Sequence, residues 1–278
     1  MISNNATRQI KHNLIVHDKI AKKYERVHGE IYNEVEQNRL HGALQSALSQ
    51  VKTTDHPKLA LDFGCGAGNE TEHLTQLGCD VLACDISQGF LDLIQQRQYP
   101  TIVKTLKLNG IDLSNIADDS CDIVMAYSVL HHIPNYIDIL VEFVRVLKPG
   151  GILFVDHESS SNVWTSDSVR SAFIQEMAKA VGSRYLKYFN LKNYLLWFIW
   201  KFINPRYQPE GDIHVYPDDH IEWNKVATAL VASGVDIVSE SDYLLFKRGY
   251  DQVVYEKYKD KTSDTHFLIA CKHQKKRN

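Results

Sequence analysis

The chain has 278 residues, 44% hydrophobic and 23% charged, enough to bury a substantial core in one α/β domain with insertions. A net charge of −3 with acids and bases mixed along the chain leaves no basic footprint, which excludes nucleic acid or another polyanion as the expected partner. Cysteines at 65, 79, 84, 121 and 271 form no C-x-x-C pair, the start lacks an apolar signal core, and no apolar run approaches a membrane span of about 20 residues, so a cytoplasmic protein without a membrane span is expected.

Residues 10–52 carry Ile20, Tyr24, Val27 and Ile31, then Leu40, Leu44 and Leu48, at helical spacing, which predicts a cap of two or three helices broken near Gly29. From 58 to 156 the pattern alternates: strand 59–63, helix 68–77, strand 80–84, helix 87–97, a strand near 102–108, strand 121–126, helix 136–147 and strand 151–156. Alternation of this kind implies right-handed crossovers and a doubly wound, mostly parallel sheet. Pro149-Gly150-Gly151 reads as a helix stop and turn. An insertion, 157–218, follows, and 219–278 supplies a helix over 220–232 and strands near 235–246 and 266–272. Within the insertion, the segment from Tyr185 to Ile203 is apolar around most of a helix and must be covered. A lid helix buried on the domain is expected; homodimer contact, a greasy substrate, or weak interfacial membrane contact through 185–203 are the alternatives.

The run from Leu59 to Thr71 carries the chemistry. Leu59, Leu61 and Phe63 suit a buried parallel strand, and Gly64, Gly66 and Gly68 allow positive φ and close ligand approach where strand passes into helix. Val81-Leu-Ala-Cys-Asp85 is a second apolar strand ending in a carboxylate, about 20 residues after the first glycine, the spacing at which an acid reaches ribose hydroxyls. A dinucleotide G-x-G-x-x-G would need glycine where Asn69 stands, so a nicotinamide-dependent oxidoreductase is disfavoured.

The arrangement Asp62-x-Gly64-x-Gly66-x-Gly68 resembles motif I of the class I S-adenosylmethionine-dependent methyltransferases. Asp118 to Val124 followed by Tyr127-Ser-Val-Leu-His-His-Ile-Pro134 is similar to that family's fourth strand and following loop, and Val146 to Asp156 to its turn into strand five. The resemblance implies a seven-stranded Rossmann-like sheet with an antiparallel edge hairpin, and S-adenosylmethionine as cofactor. It implies cofactor contacts from Tyr24, Asp62, Gly64, Cys65, Gly66, Gly68, Asp85, Ile86, Tyr127 and Ser128, and an adenine contact from Asn109 or Asp112. Asp85 is expected on the ribose; Asp62 organises the glycine loop, meets the methionine ammonium, or merely caps a helix.

Methyl transfer to a hydroxyl needs a base, for which histidine is suited. His131, His132, His157, His214 and His220 are available, and His157, after strand five, faces the ligand crevice and is preferred; His131-His132 matches a family signature that is often structural and is discounted as a base. Asp156-His157-Glu158 with Asp218, Asp219 and His220 lacks compact metal-ligand spacing, so no metal is assigned. The expected activity is methylation of a small-molecule or carbohydrate-type acceptor at oxygen; a non-catalytic protein binding cofactor or a partner on the same fold is the alternative.

Overall fold

A computed structural model describes residues 3–182, 191–209 and 211–274. Three helices open the chain: α1 (Asn4–Ile20), capped by the Ser3 hydroxyl on Ala6 N, a one-turn α2 (Tyr24–Val27), and α3 (Glu34–Ser49), capped by Asn33 Oδ1 on Glu36 N. The alternating unit follows as β1 (Leu59–Phe63), α4 (Asn69–Gln76), β2 (Asp80–Asp85), α5 (Gln88–Gln95), β3 (Val103–Lys107), β4 (Cys121–Tyr127), α6 (Tyr136–Val146) and β5 (Leu147–Ser159). The insertion contributes α7 (Ser168–Val181) and α8 (Leu191–Ile203), and the chain continues through α9 (Trp223–Ala232), β6 (Val235–Tyr243), α10 (Gln252–Tyr258) and β7 (Thr265–Lys272).

The seven strands are ordered β3-β2-β1-β4-β5-β7-β6, with parallel pairing from β3 to β5 and antiparallel pairing of β7 with both β5 and β6. This is a doubly wound, mostly parallel Rossmann-like sheet, and its strand order reverses between β1 and β4. A crevice therefore opens beyond the carboxyl ends of those two strands. Alternate residues serve opposite faces: Leu61, Phe63, Val124, Ala126, Leu153 and Val155 pack with α6 and α9, while Ala60, Val81, Ile123, Met125, Ile152 and Phe154 pack with α3, α4 and α5. Phe63 meets Phe143 of α6 edge-on at 4.8 Å.

Three expectations change. β5 runs on to Ser159 rather than ending at 156, because β7 keeps pairing with it through Glu158↔His266 and Ser159↔Thr265. Pro149 and Gly150 lie at the irregular start of that strand, and α6 stops before them at Val146. The antiparallel edge pair forms as expected, with α10 in its connection packing Val254, Tyr255 and Tyr258 against Phe173, Met177 and Val181 of α7. Finally, α8 is not buried on the domain: Phe198 is 50% exposed, Ile203 69% and Phe202 76%. Residues 185–190 of that apolar segment lie outside the described residues. Among the described residues no helix is long and apolar enough to cross a membrane.

Candidate functional site

The glycine turn leaves β1 at Phe63 with Gly64, Gly66 and Gly68 at φ +71°, +47° and +87°. Gly64 N and Cys65 N both donate to Cys84 O, at 2.8 and 3.0 Å, which ties the turn to the end of β2. A Cβ on Gly64 would fall 2.5 Å from Val129 Cγ2; one on Gly66 would find nothing nearer than the Gly64 carbonyl at 3.9 Å. Gly66 lines a cavity in the crevice, so a side chain there would project into that open space.

Asp85 is fixed at the rim of the same cavity. Its Oδ2 accepts Gly66 N at 3.0 Å and its Oδ1 accepts Ser87 N at 2.7 Å. Burial raises its pKa, and the backbone donors oppose that rise. Each oxygen keeps acceptor capacity beyond these bonds. Ile86, Phe90, Leu108 and Ile139 supply apolar wall, and Asp112 stands at the far side, with Oδ1 accepting Asn109 Nδ2 at 2.9 Å.

Of the expected cofactor residues, Tyr24, Gly64, Gly66, Asp85, Ile86, Asp112 and Ser128 come together around this cavity. Asp62, Cys65, Gly68, Asn109 and Tyr127 do not line it. Asp62 is buried on the α4 face and accepts the Thr71 hydroxyl at 2.5 Å, the helix-tethering role; burial, then the nearby Asp85, push it up to about 7. Asn109 turns its own loop, its Oδ1 accepting Ile111 N and Asp112 N. The Tyr127 hydroxyl donates to Glu36 Oε1 at 2.9 Å, away from the crevice.

A second, polar cavity of about 370 Å³ adjoins the first, and Tyr24, Ser128 and His132 line both. The N-terminal cap contributes His28 and Glu30, the strand ends His131, His157 and Glu158, the insertion Arg170 and His214, and the C-terminal region Lys247 and Asp264. His157 adopts φ +60°, stacks on Tyr127 at 4.7 Å, and has a buried Nε2 without a hydrogen-bond partner. Burial, then the Arg39 charge, lower its pKa to about 3, so it stays neutral and is a weak base. Arg39 is held there by Glu36 and Asp156, at 2.5 and 2.8 Å.

His131 is placed differently. Its Nδ1 lies 2.8 Å from Glu158 Oε2, and Glu158 Oε1 accepts Val129 N and Leu130 N, both at 2.7 Å. A buried, doubly anchored carboxylate thus sets the imidazole's orientation. This dyad was not legible in the sequence, because Glu158 reaches the loop only once β5 extends past residue 156. The equally unforeseen His17, Asn13 and Ile10 bring one face of α1 over the first cavity.

Residues 61–155 match the family model described as a methyltransferase domain. That matched segment, from β1 into β5, is similar to methyltransferase domains. It is 28% identical over 113 residues to a ubiquinone biosynthesis O-methyltransferase of Methylococcus capsulatus, a match covering 40% of this chain and 48% of that one. It is 34% identical over 95 residues to a malonyl-[acyl-carrier protein] O-methyltransferase of Yersinia pestis, covering 34% of each. These alignments span about half or less of the curated relatives' length. The fold superposes on a magnesium protoporphyrin IX methyltransferase of Synechocystis, solved with bound S-adenosylhomocysteine, with a TM-score of 0.54 and 16% identity over 93% of this chain and 98% of that one. S-Adenosylmethionine is the cofactor, and the first cavity fits it: a bare backbone at Gly66, a carboxylate at Asp85 with acceptor capacity left, and apolar walls.

Proposed function

We propose that this chain methylates a hydroxyl oxygen of a small, polar, carbohydrate-type acceptor held in the second cavity, with His131 as general base. The observation that carries the reading is the His131–Glu158 dyad in a polar cavity that shares a wall with the glycine-turn cavity. Asp85 would hold the ribose, Gly64 and Gly66 would admit the methionine end, and Asp112 would meet the adenine. When bound, S-adenosylmethionine supplies an electrophilic methyl carbon on a sulfonium, and S-adenosylhomocysteine is left.

The dyad determines the proton's path. Glu158 Oε2 accepts a hydrogen bond from Nδ1–H, which leaves Nε2 as the basic nitrogen; the acceptor oxygen would bond the methyl carbon as the sulfur–methyl bond breaks, and its proton would pass to Nε2. His157, preferred from its position after strand five, is the weaker candidate because its protonated form is disfavoured. Proximity and orientation by the two cavities would supply much of the acceleration, about 7–11 kcal/mol in favourable cases. Five free, buried cysteines support a reducing, cytoplasmic setting. The uncovered apolar side of α8 supports self-association, which a dimer-to-monomer shift of Phe202→Ser in sedimentation velocity would reveal.

The test combines calorimetry with a screen of hydroxyl and thiol acceptors using labelled cofactor. We expect S-adenosylhomocysteine to bind, Asp85→Ala to weaken it by roughly 1–3 kcal/mol, and His131→Ala to cut turnover about 100-fold or more with little change in cofactor affinity. Cofactor binding with no turnover on any acceptor would favour the non-catalytic alternative, and an equal loss of affinity and turnover in His131→Ala would remove it as the base.

A further inference from the structure

Where the two cavities meet, α1, the loop after β4 and the end of the insertion converge on one carboxylate. We propose that His17, His132 and Asp212 form a binding site for a divalent first-row transition-metal ion of the zinc type. His17 Nε2 lies 3.6 Å and His132 Nδ1 3.2 Å from Asp212 Oδ2, and one donor atom from each of the three residues lies within 4.8 Å of the others. Ligands at zinc distances in a tetrahedron stand about 3.4 Å apart. The contacts observed are close to that spacing.

Contacts within the protein leave part of the cluster unsatisfied. Asp212 Oδ2 meets all three imidazoles, but Asp212 Oδ1 is buried without a hydrogen-bond partner, and His132 Nδ1, also buried, has only its 3.2 Å contact with Oδ2. Buried polar atoms of this kind call for a partner. A metal ion held by this carboxylate and His132 would accept their lone pairs and stand in for the missing partner.

The surroundings hold the donors in position. Gln9, Asn13 and His17 recur at four-residue spacing along one face of α1. Asn13 Nδ2 donates to Ile213 O at 2.7 Å, and Ile213 N donates back to Asn13 Oδ1 at 2.8 Å, which fixes the backbone next to Asp212. His214 Nε2 lies 3.2 Å from Asp212 Oδ2, and its Nδ1 faces Asp219 Oδ1 at 2.5 Å, an outer layer of the sort that orients metal-binding carboxylates. Two imidazoles and one carboxylate suit zinc, cobalt, nickel or ferrous iron better than magnesium or calcium.

Three protein ligands leave a position open. His132 lines both cavities, so an ion held by it would stand beside their shared wall and could meet an oxygen of the acceptor. This last role rests on the proposed methyl transfer; metal binding itself does not.

The test titrates EDTA-treated, dialysed protein with zinc chloride by calorimetry and follows the visible spectrum of cobalt chloride added to the same protein. We expect one zinc per chain, d–d bands of low-coordinate cobalt that zinc abolishes, and more than about tenfold weaker zinc binding in Asp212→Asn and His132→Gln, with His220→Gln unchanged. Far-UV circular dichroism checks that each variant is folded; should Asp212→Asn not fold, His17→Gln carries the same comparison. Absence of stoichiometric zinc binding by the treated wild type, or equal affinity in the folded ligand variants, would overturn the site. S-Adenosylhomocysteine titrated into the same samples keeps the two readings apart, because its binding without metal binding defeats this inference alone.

Discussion

Gly64 and Gly66 answer two different demands at one turn. Both hold positive φ, which costs an alanine about 1–2 kcal/mol, but only Gly64 would also drive its Cβ into Val129. Gly64→Ala is expected to lower the melting temperature more than Gly66→Ala, and Gly66→Ala to lose more S-adenosylhomocysteine affinity per degree of melting temperature lost; calorimetry and thermal melts on both variants check this. His157 gives a pH signature. Its pKa is lowered from the usual 6.5 to about 3, so between those values the unfolded chain binds the extra proton. Stability therefore rises with pH through that window and falls as pH drops below about 6.5, with a slope from this group approaching about 1.4 kcal/mol per pH unit. His157→Asn should flatten the acid side of the stability profile measured by urea unfolding. His73, lowered to about 4 by burial and then His41, retains its own share in the variant.

Among the elements, α6 and α8 are both strongly apolar yet stand in opposite environments. Phe143 of α6 is fully buried against Phe63, and Phe143→Ala should cost about 3–5 kcal/mol. Phe202 of α8 is 76% exposed, and Phe202→Ala should change the stability of the isolated chain by no more than about 0.5 kcal/mol. Chemical denaturation of the two variants measures the contrast. The core strands were legible because apolar runs bounded by glycines and acids carry their own period, and the glycine turn and Asp85 were legible because backbone geometry there admits few residue types. The length of β5 was not, since it depends on pairing with a strand more than a hundred residues later in the sequence. Neither was the exposure of α8, because an apolar sequence states that a helix needs cover without stating what provides it.

Over the whole molecule, the cavities are completed by segments far apart in the chain. Asn13 and Ile213 exchange two hydrogen bonds, Gln9 Nε2 donates to the same Ile213 carbonyl at 3.0 Å, and Val215 N donates to His131 O at 2.8 Å. Asn13→Ala should destabilise the protein by about 1–3 kcal/mol and speed amide exchange in 211–215 more than in β1 or β4. Such long-range contacts explain why Asp85 could be read from spacing while His131–Glu158 and the α1 face could not. The edge position of the last two strands also carries an ordering constraint. Because β7 lies between β5 and β6, a chain emerging from the ribosome makes β6 before the strand that must separate it from β5. Until Thr265–Lys272 has been synthesised, the outer edge of β5 has no backbone partner and β6 has no strand to pair with, so the nascent sheet exposes an open hydrogen-bonding edge until its last strand arrives.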